Sequence, residues 1–175
     1  MIRVVVTGSE CTGKSTLAQA LADRYETALV PEFVRAFVQR KGSAPAYADV
    51  EEIARGQLAL EQEMAETAVK LLILDTDLLS TWVYSRHYYG RCPAWISVEV
   101  DDRPVDLYLL AGIDVPWVAD GLQRDRGHMR SEMQTLFRDE LRSRGFDFVE
   151  VEGSIEERLG AAVEAIDSLL SSIST

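Results

Sequence analysis

Gly8-Ser9-Glu10-Cys11-Thr12-Gly13-Lys14-Ser15 has the residue types and the spacing that bind phosphate. The pattern is G-x-x-x-x-G-K-[ST], a P-loop, and Thr16 follows it. Glycines at its two fixed positions permit backbone angles and close approaches that a Cβ forbids. Successive N–H groups then point at phosphate oxygens, and the helix that follows adds the positive end of its dipole. Lys14 is placed to reach the β- and γ-phosphates of a nucleoside triphosphate, and Ser15 to hold Mg²⁺. The expected cofactors are therefore a nucleoside triphosphate and Mg²⁺.

Three further groups carry chemistry. Asp75-Thr76-Asp77 ends an apolar run. An Asp there is a metal-side carboxylate, and a second one two residues on can take a proton from an attacking hydroxyl or bind a diol. Spacing does not say which of Asp75, Asp77 and Glu32 is the base. Glu32 and Arg35 stand three apart after the second strand, so they share a helix face. They can bind an acceptor's hydroxyl and phosphate, or pair with each other. Arg124, Arg126 and Arg130 lie in a charged stretch from Asp114 onward, where they can close on transferring phosphates. Gly121 and Gly127 would hinge such a lid. Tyr88 and Tyr89, near a helix end, can stack on a base or a cationic ring, although core packing is the ordinary reading of the aromatics from Trp82 to Trp95.

These groups need a scaffold that brings strand ends together. Strands are expected at Ile2–Val6, Ala28–Val30, Leu71–Leu74, Asp106–Leu110 and Phe146–Val151. Helices are expected from Lys14 to Tyr25, from Glu32 onward, from Asp49 with Glu52 as its capping-box partner, from Leu78 to Tyr89 with Gly90 behind it, from Ser131 to Arg144, and from Ser154 to about Leu170. The chain beyond Leu170 is expected to fray. Strand and helix alternate throughout. That pattern predicts a single α/β domain over 1–175: a five-stranded parallel sheet with helices on both faces and ligands at the carboxyl ends of its strands.

Composition narrows the partners. The 175 residues carry a net charge of −11, which argues against a long nucleic-acid track. No apolar run is long enough to span a bilayer, and no signal segment precedes the first strand. Cys11 and Cys92 form no metal pattern, and His87 and His128 stand alone. A small-molecule substrate and a cytoplasmic location are expected.

G-S-E-C-T-G-K-S-T, P-E-F-V-R, L-D-T-D with Thr81 and Tyr89-Gly90, D-L-Y-L-L and D-V-P-W-V-A-D-G-L-Q-R follow one another along nearly the whole chain. In this order they resemble the ribosylnicotinamide kinase domain of NadR-type proteins, within the P-loop kinases. The resemblance implies MgATP-dependent phosphorylation of the ribose 5′-hydroxyl of nicotinamide riboside. Lys14, Asp75, Asp77, Glu32, Arg124 and Arg126 are then the catalytic candidates. Residues Gly8 to Thr16 and Arg130 are the ATP contacts. Glu32, Arg35, Asp77, Tyr88, Trp117 and Asp120 are the acceptor contacts, and Ser15 and Asp75 the metal side. With the P-loop beginning at Gly8, neither the nucleotidyltransferase nor the DNA-binding domain that NadR proteins add is expected before it. Pro31 stands where the family carries an aromatic before the Glu. Other acceptors stay open, namely another nucleoside or a nucleic-acid 5′ end, as does a nucleotide-dependent regulator that needs no acceptor.

Overall fold

A computed structural model of the chain describes residues 1–116 and 129–173. Its sheet has five strands: β1 (Ile2–Thr7), β2 (Leu29–Val30), β3 (Leu71–Asp75), β4 (Leu107–Ala111) and β5 (Phe148–Val151). All are parallel, in the order β2-β3-β1-β4-β5. The helices are α1 (Lys14–Tyr25), α2 (Phe33–Lys41), α3 (Val50–Ala65), α4 (Leu78–Tyr89), α5 (Ala94–Asp102), α6 (Arg130–Ser143) and α7 (Ile155–Ile173). None of the described helices is long and apolar enough to cross a membrane.

The strands read as continuous apolar runs because both faces of the sheet are covered. Along β1, Val5 faces one core with Leu72, Leu74, Tyr108 and Leu110, while Val4 and Val6 face the other with Leu17, Leu21 and Ile166. The first core is closed by residues of α3, α4, α5 and α6, the second by residues of α1 and α7. Central β1 pairs with β3 on one side and β4 on the other, so the chain order switches direction at β1. Ligand crevices form at the carboxyl ends of strands at such a point.

The structure departs from the sequence expectations in three places. Asp49 does not cap α3 through its side chain. Its carboxylate instead accepts from Ala46 N at 2.6 Å and pairs with Lys41, closing a 3₁₀ turn at Tyr47–Asp49. Its expected partner Glu52 is engaged with Arg40 at 2.6 Å. Helix α5 lies where no element was expected: Pro93 opens it, and Ile96 and Val100, four apart, are its only fully covered side chains. Helix α7 runs on to Ile173 rather than fraying after Leu170. At its start the expected capping box is present, with Ser154 N donating to Glu157 at 2.7 Å and Glu157 N to Ser154 Oγ at 3.2 Å.

Helix α2 carries site residues and is seated on α3 by close contact. A Cβ on Gly56 of α3 would overlap the Phe33 ring at the start of α2. Helix propensity alone says that Gly56→Ala gains about 1 kcal/mol. The overlap predicts the opposite sign, a net loss of about 1–3 kcal/mol in chemical denaturation, as overpacking gives elsewhere.

Candidate functional site

The P-loop follows β1 directly. Gly8 sits at φ 127°, and a Cβ there would stand 3.0 Å from Ala111 O of the neighbouring strand. Gly13 caps α1 at φ 78°. Both are conformations that glycine supplies cheaply. Cys11 between them also has positive φ, 53°. Lys14 is buried and donates to Ser9 O at 2.7 Å, and Thr12 Oγ1 donates to the same carbonyl at 2.8 Å. Those two bonds tie the loop into a closed turn.

Asp75 ends β3 level with Val6 of β1. Its Oδ1 and the Ser15 Oγ are both buried atoms without a hydrogen-bond partner. An unpaired buried oxygen costs about 1–3 kcal/mol, so two hard oxygens left in this state suit a cation. Ser15 and Asp75 therefore fit Mg²⁺, an ion that takes few protein ligands and completes its shell with phosphate and water. Among the described residues no group of three or more His, Cys, Asp or Glu forms a metal cage.

Thr76 adopts φ 66°, a strained angle for a β-branched residue, and turns the chain so that Asp77 opens α4. Asp77 is 4% exposed. Its Oδ1 accepts from Leu79 N at 3.1 Å and its Oδ2 from the Tyr108 hydroxyl at 2.8 Å. Burial pushes the Asp77 carboxyl up to about 6, and these two donors oppose that rise. Behind it lies Glu61 of α3, buried and paired with Arg103, with its carboxyl pushed up to about 7 by burial against the pull of that arginine.

Glu32 precedes α2 and does not cap it with its own side chain. Gln57 of α3 does that work across the helix pair, its Oε1 accepting from Phe33 N at 2.9 Å. Glu32 is thereby left to accept from Arg35 Nε at 2.7 Å.

Between the P-loop, α2 and α4 lies a cavity of about 410 Å³. Lys14, Glu32, Asp77, Thr81, Tyr84 and Tyr88 are among the residues on its wall. The Tyr84 and Tyr88 rings lie nearly parallel, 6.0 Å apart at 14°. At the mouth, Tyr89 donates to Pro45 O at 2.8 Å and packs edge-on against Tyr47. Pro31 does not reach this cavity. It borders a second one, on the side of Ser15 and Asp75, and Glu32 and Arg35 line both.

Lys14, Glu32, Arg35, Asp77 and Tyr88 thus meet around one cavity, with Ser15 and Asp75 beside it. Arg130 lies at the P-loop, where it donates to Cys11 O at 3.3 Å and Val115 O at 2.9 Å. Trp117, Asp120, Gly121, Arg124, Arg126 and Gly127 fall outside the described residues. Tyr108, Gln57 and Arg158 escaped the sequence reading. Each serves the site through a hydrogen bond across long sequence separation, which leaves no local pattern. A Tyr amid the apolar run of β4 was the one available signal, since a buried hydroxyl needs a partner.

A family model described as an AAA domain matches residues 3–158. The trifunctional NAD biosynthesis/regulator protein NadR of Escherichia coli (strain K12) is 32% identical over 154 residues, 85% of this chain and 38% of that protein. The chain thus spans about two fifths of that relative's length. Solved structures of NadR protein, one in complex with NR and one with NAD and AMP-PNP, share the fold with TM-scores of 0.77 and 0.80. Each covers 95% of this chain and 49% of the other, at 21% identity. With the phosphate loop, the flanking strand end and the sheet order in agreement with a match over most of its length, the chain belongs to the AAA-domain family of P-loop proteins.

Proposed function

We propose that the protein is an ATP-dependent small-molecule kinase whose acceptor is the ribose 5′-hydroxyl of nicotinamide riboside. The observation that carries this reading is the cavity that opens onto Lys14 and is lined by Glu32, Asp77 and two near-parallel tyrosines. Its volume, about 410 Å³, suits a nucleoside. The likeness to NadR, one structure of which binds NR, supports the named acceptor.

The residues divide the work by position. P-loop N–H groups and Lys14 bind the triphosphate. Ser15 and Asp75 would hold Mg²⁺, which would offset the charge on the phosphate oxygens. Asp77, buried and fixed at both oxygens, orients the acceptor's hydroxyls at a set place in the cavity. Glu32 is less confined. It stands between the acceptor cavity and the metal side, so it is the carboxylate positioned to take the 5′-hydroxyl proton. Tyr84 and Tyr88 offer ring faces to a cationic nicotinamide. They supply the aromatic surface that Pro31 does not.

The direct test is ADP release from MgATP with a panel of nucleosides. Nicotinamide riboside is expected to raise turnover and others far less, and Lys14→Ala to abolish it. Turnover raised equally by every nucleoside, or by none, contradicts the reading. Chelating Mg²⁺ is expected to stop turnover, and Asp75→Asn to raise the Mg²⁺ needed for half-maximal rate by about tenfold or more, in line with the loss of one metal carboxylate. The pH profile is a separate check. Ionised Asp77 accepts at both oxygens, whereas protonation turns one of them into a donor, so kcat/KM for the acceptor should fall as pH drops through about 6. The Tyr108 hydroxyl stabilises that ionised form. Tyr108→Phe is expected to move the acid limb upward by about one pH unit.

A further inference from the structure

The phosphate loop is held from behind by an arginine that comes from the far end of the chain. Arg158 of α7 is 3% exposed. Its Nη1 donates to Thr12 O at 2.6 Å, its Nη2 to Gly112 O at 3.1 Å and to the Asp114 carboxylate, and its Nε to Gly153 O at 2.9 Å. Asp114 in turn accepts from Gly153 N at 2.5 Å. One guanidinium thereby joins the P-loop to the loops that follow β4 and β5.

The bond to Thr12 matters most. A trans peptide unit is a rigid plane whose C=O and N–H point in opposite directions. Fixing the Thr12 carbonyl therefore fixes the N–H of Gly13, which shares its plane. Arg130 does the same one plane earlier: its bond to Cys11 O sets the direction of the Thr12 N–H. Two adjacent carbonyls of the loop are thus pulled toward buried arginines, and the two matching N–H groups are turned the opposite way, away from those arginines. Short loops rich in positive φ do not hold one set of peptide orientations by themselves. Here Gly13 and Cys11 both lie in that region. The arginines select one set. The Arg130 charge also lies at the loop, where it adds to the field that attracts an anion, whereas that of Arg158 is offset by Asp114.

We propose that Arg158 is a positioning residue for the nucleotide's phosphates, acting through the Thr12–Gly13 peptide plane, with Arg130 doing the same through Cys11–Thr12. The inference rests on the reading of the P-loop as the nucleotide site. It assigns Arg158 no contact with substrate. The acceptor cavity is not lined by Arg158, so acceptor binding should not depend on it.

The test uses the full chain and two probes, MgATP and tripolyphosphate, titrated by calorimetry. Arg158→Lys keeps a cation but cannot reproduce the four bonds of the fork. It should weaken both probes by the same factor, about tenfold, as the loss of one charge-assisted hydrogen bond implies. Affinity for nicotinamide riboside should stay unchanged. In nitrogen-15 spectra of the wild-type protein, the Gly13 amide proton should move downfield on adding tripolyphosphate, and in Arg158→Lys this shift should shrink. A variant that loses thermal stability yet binds both probes like the wild type shows a structural role only and overturns the proposal. So does a wild-type Gly13 amide that ignores bound tripolyphosphate, a result that needs no variant to fold. Wild-type protein that binds neither probe overturns the nucleotide reading and this proposal together.

Discussion

The parallel pairing of β1 between β3 and β4 sets the geometry of everything that follows it. Parallel strands put their carboxyl ends on one edge, and the register Val6↔Asp75 places the Asp75 carboxylate level with the last residues before the P-loop. Pairing of Val6 with Leu109 on the other side brings Ala111 against Gly8, where a Cβ would stand 3.0 Å from Ala111 O. A slip of one residue in the β1–β3 pairing would carry Asp75 away from Val6 and exchange the faces of one strand against the other. Val4, Val5 and Val6 are all fully covered, so such a slip would also have to repack both cores.

On this edge the protein accepts local costs. Thr76 holds a left-handed angle, Asp77 is buried as a carboxylate, and Glu61 is buried behind it. Such groups are destabilising unless partners hold them. The partners come from the surroundings: Leu79 N and Tyr108 for Asp77, Arg103 for Glu61, and Gln57 for the start of α2. Each of these bonds also orients a site group. The apolar core thereby serves as a rigid frame for charges that would otherwise find water. The P-loop follows the same logic with cations, since Arg130 and Arg158 satisfy its outward carbonyls from buried positions.

Much of this was legible in the sequence. The P-loop is a local pattern, and β1, β3 and β4 are continuous apolar runs, so the sheet and its ligand edge could be read residue by residue. Asp75, Asp77 and Glu32 stand at predicted strand ends, and the structure gathers them around the loop. What escaped the reading depends on contacts across the chain. Helix α5 buries only Ile96 and Val100, too narrow a stripe for a periodic signal. Asp49 has the right neighbours for a capping box but is drawn to Ala46 and Lys41 instead. Arg158 looks like any charged residue of an amphipathic helix, and only the fold brings it 2.6 Å from Thr12, 146 positions away.

On the proposed reading, the cavity beside Lys14 presents the acceptor's hydroxyl to the phosphate loop. A crystal structure of the protein soaked with nicotinamide riboside and a non-hydrolysable ATP analogue addresses it most directly. The account predicts the ribose hydroxyls within hydrogen-bond reach of Asp77, the 5′-oxygen between Glu32 and the γ-phosphate, and the nicotinamide ring against Tyr84 and Tyr88. Nicotinamide riboside bound in the cavity bordered by Pro31, or with its ribose turned away from Asp77, would contradict it.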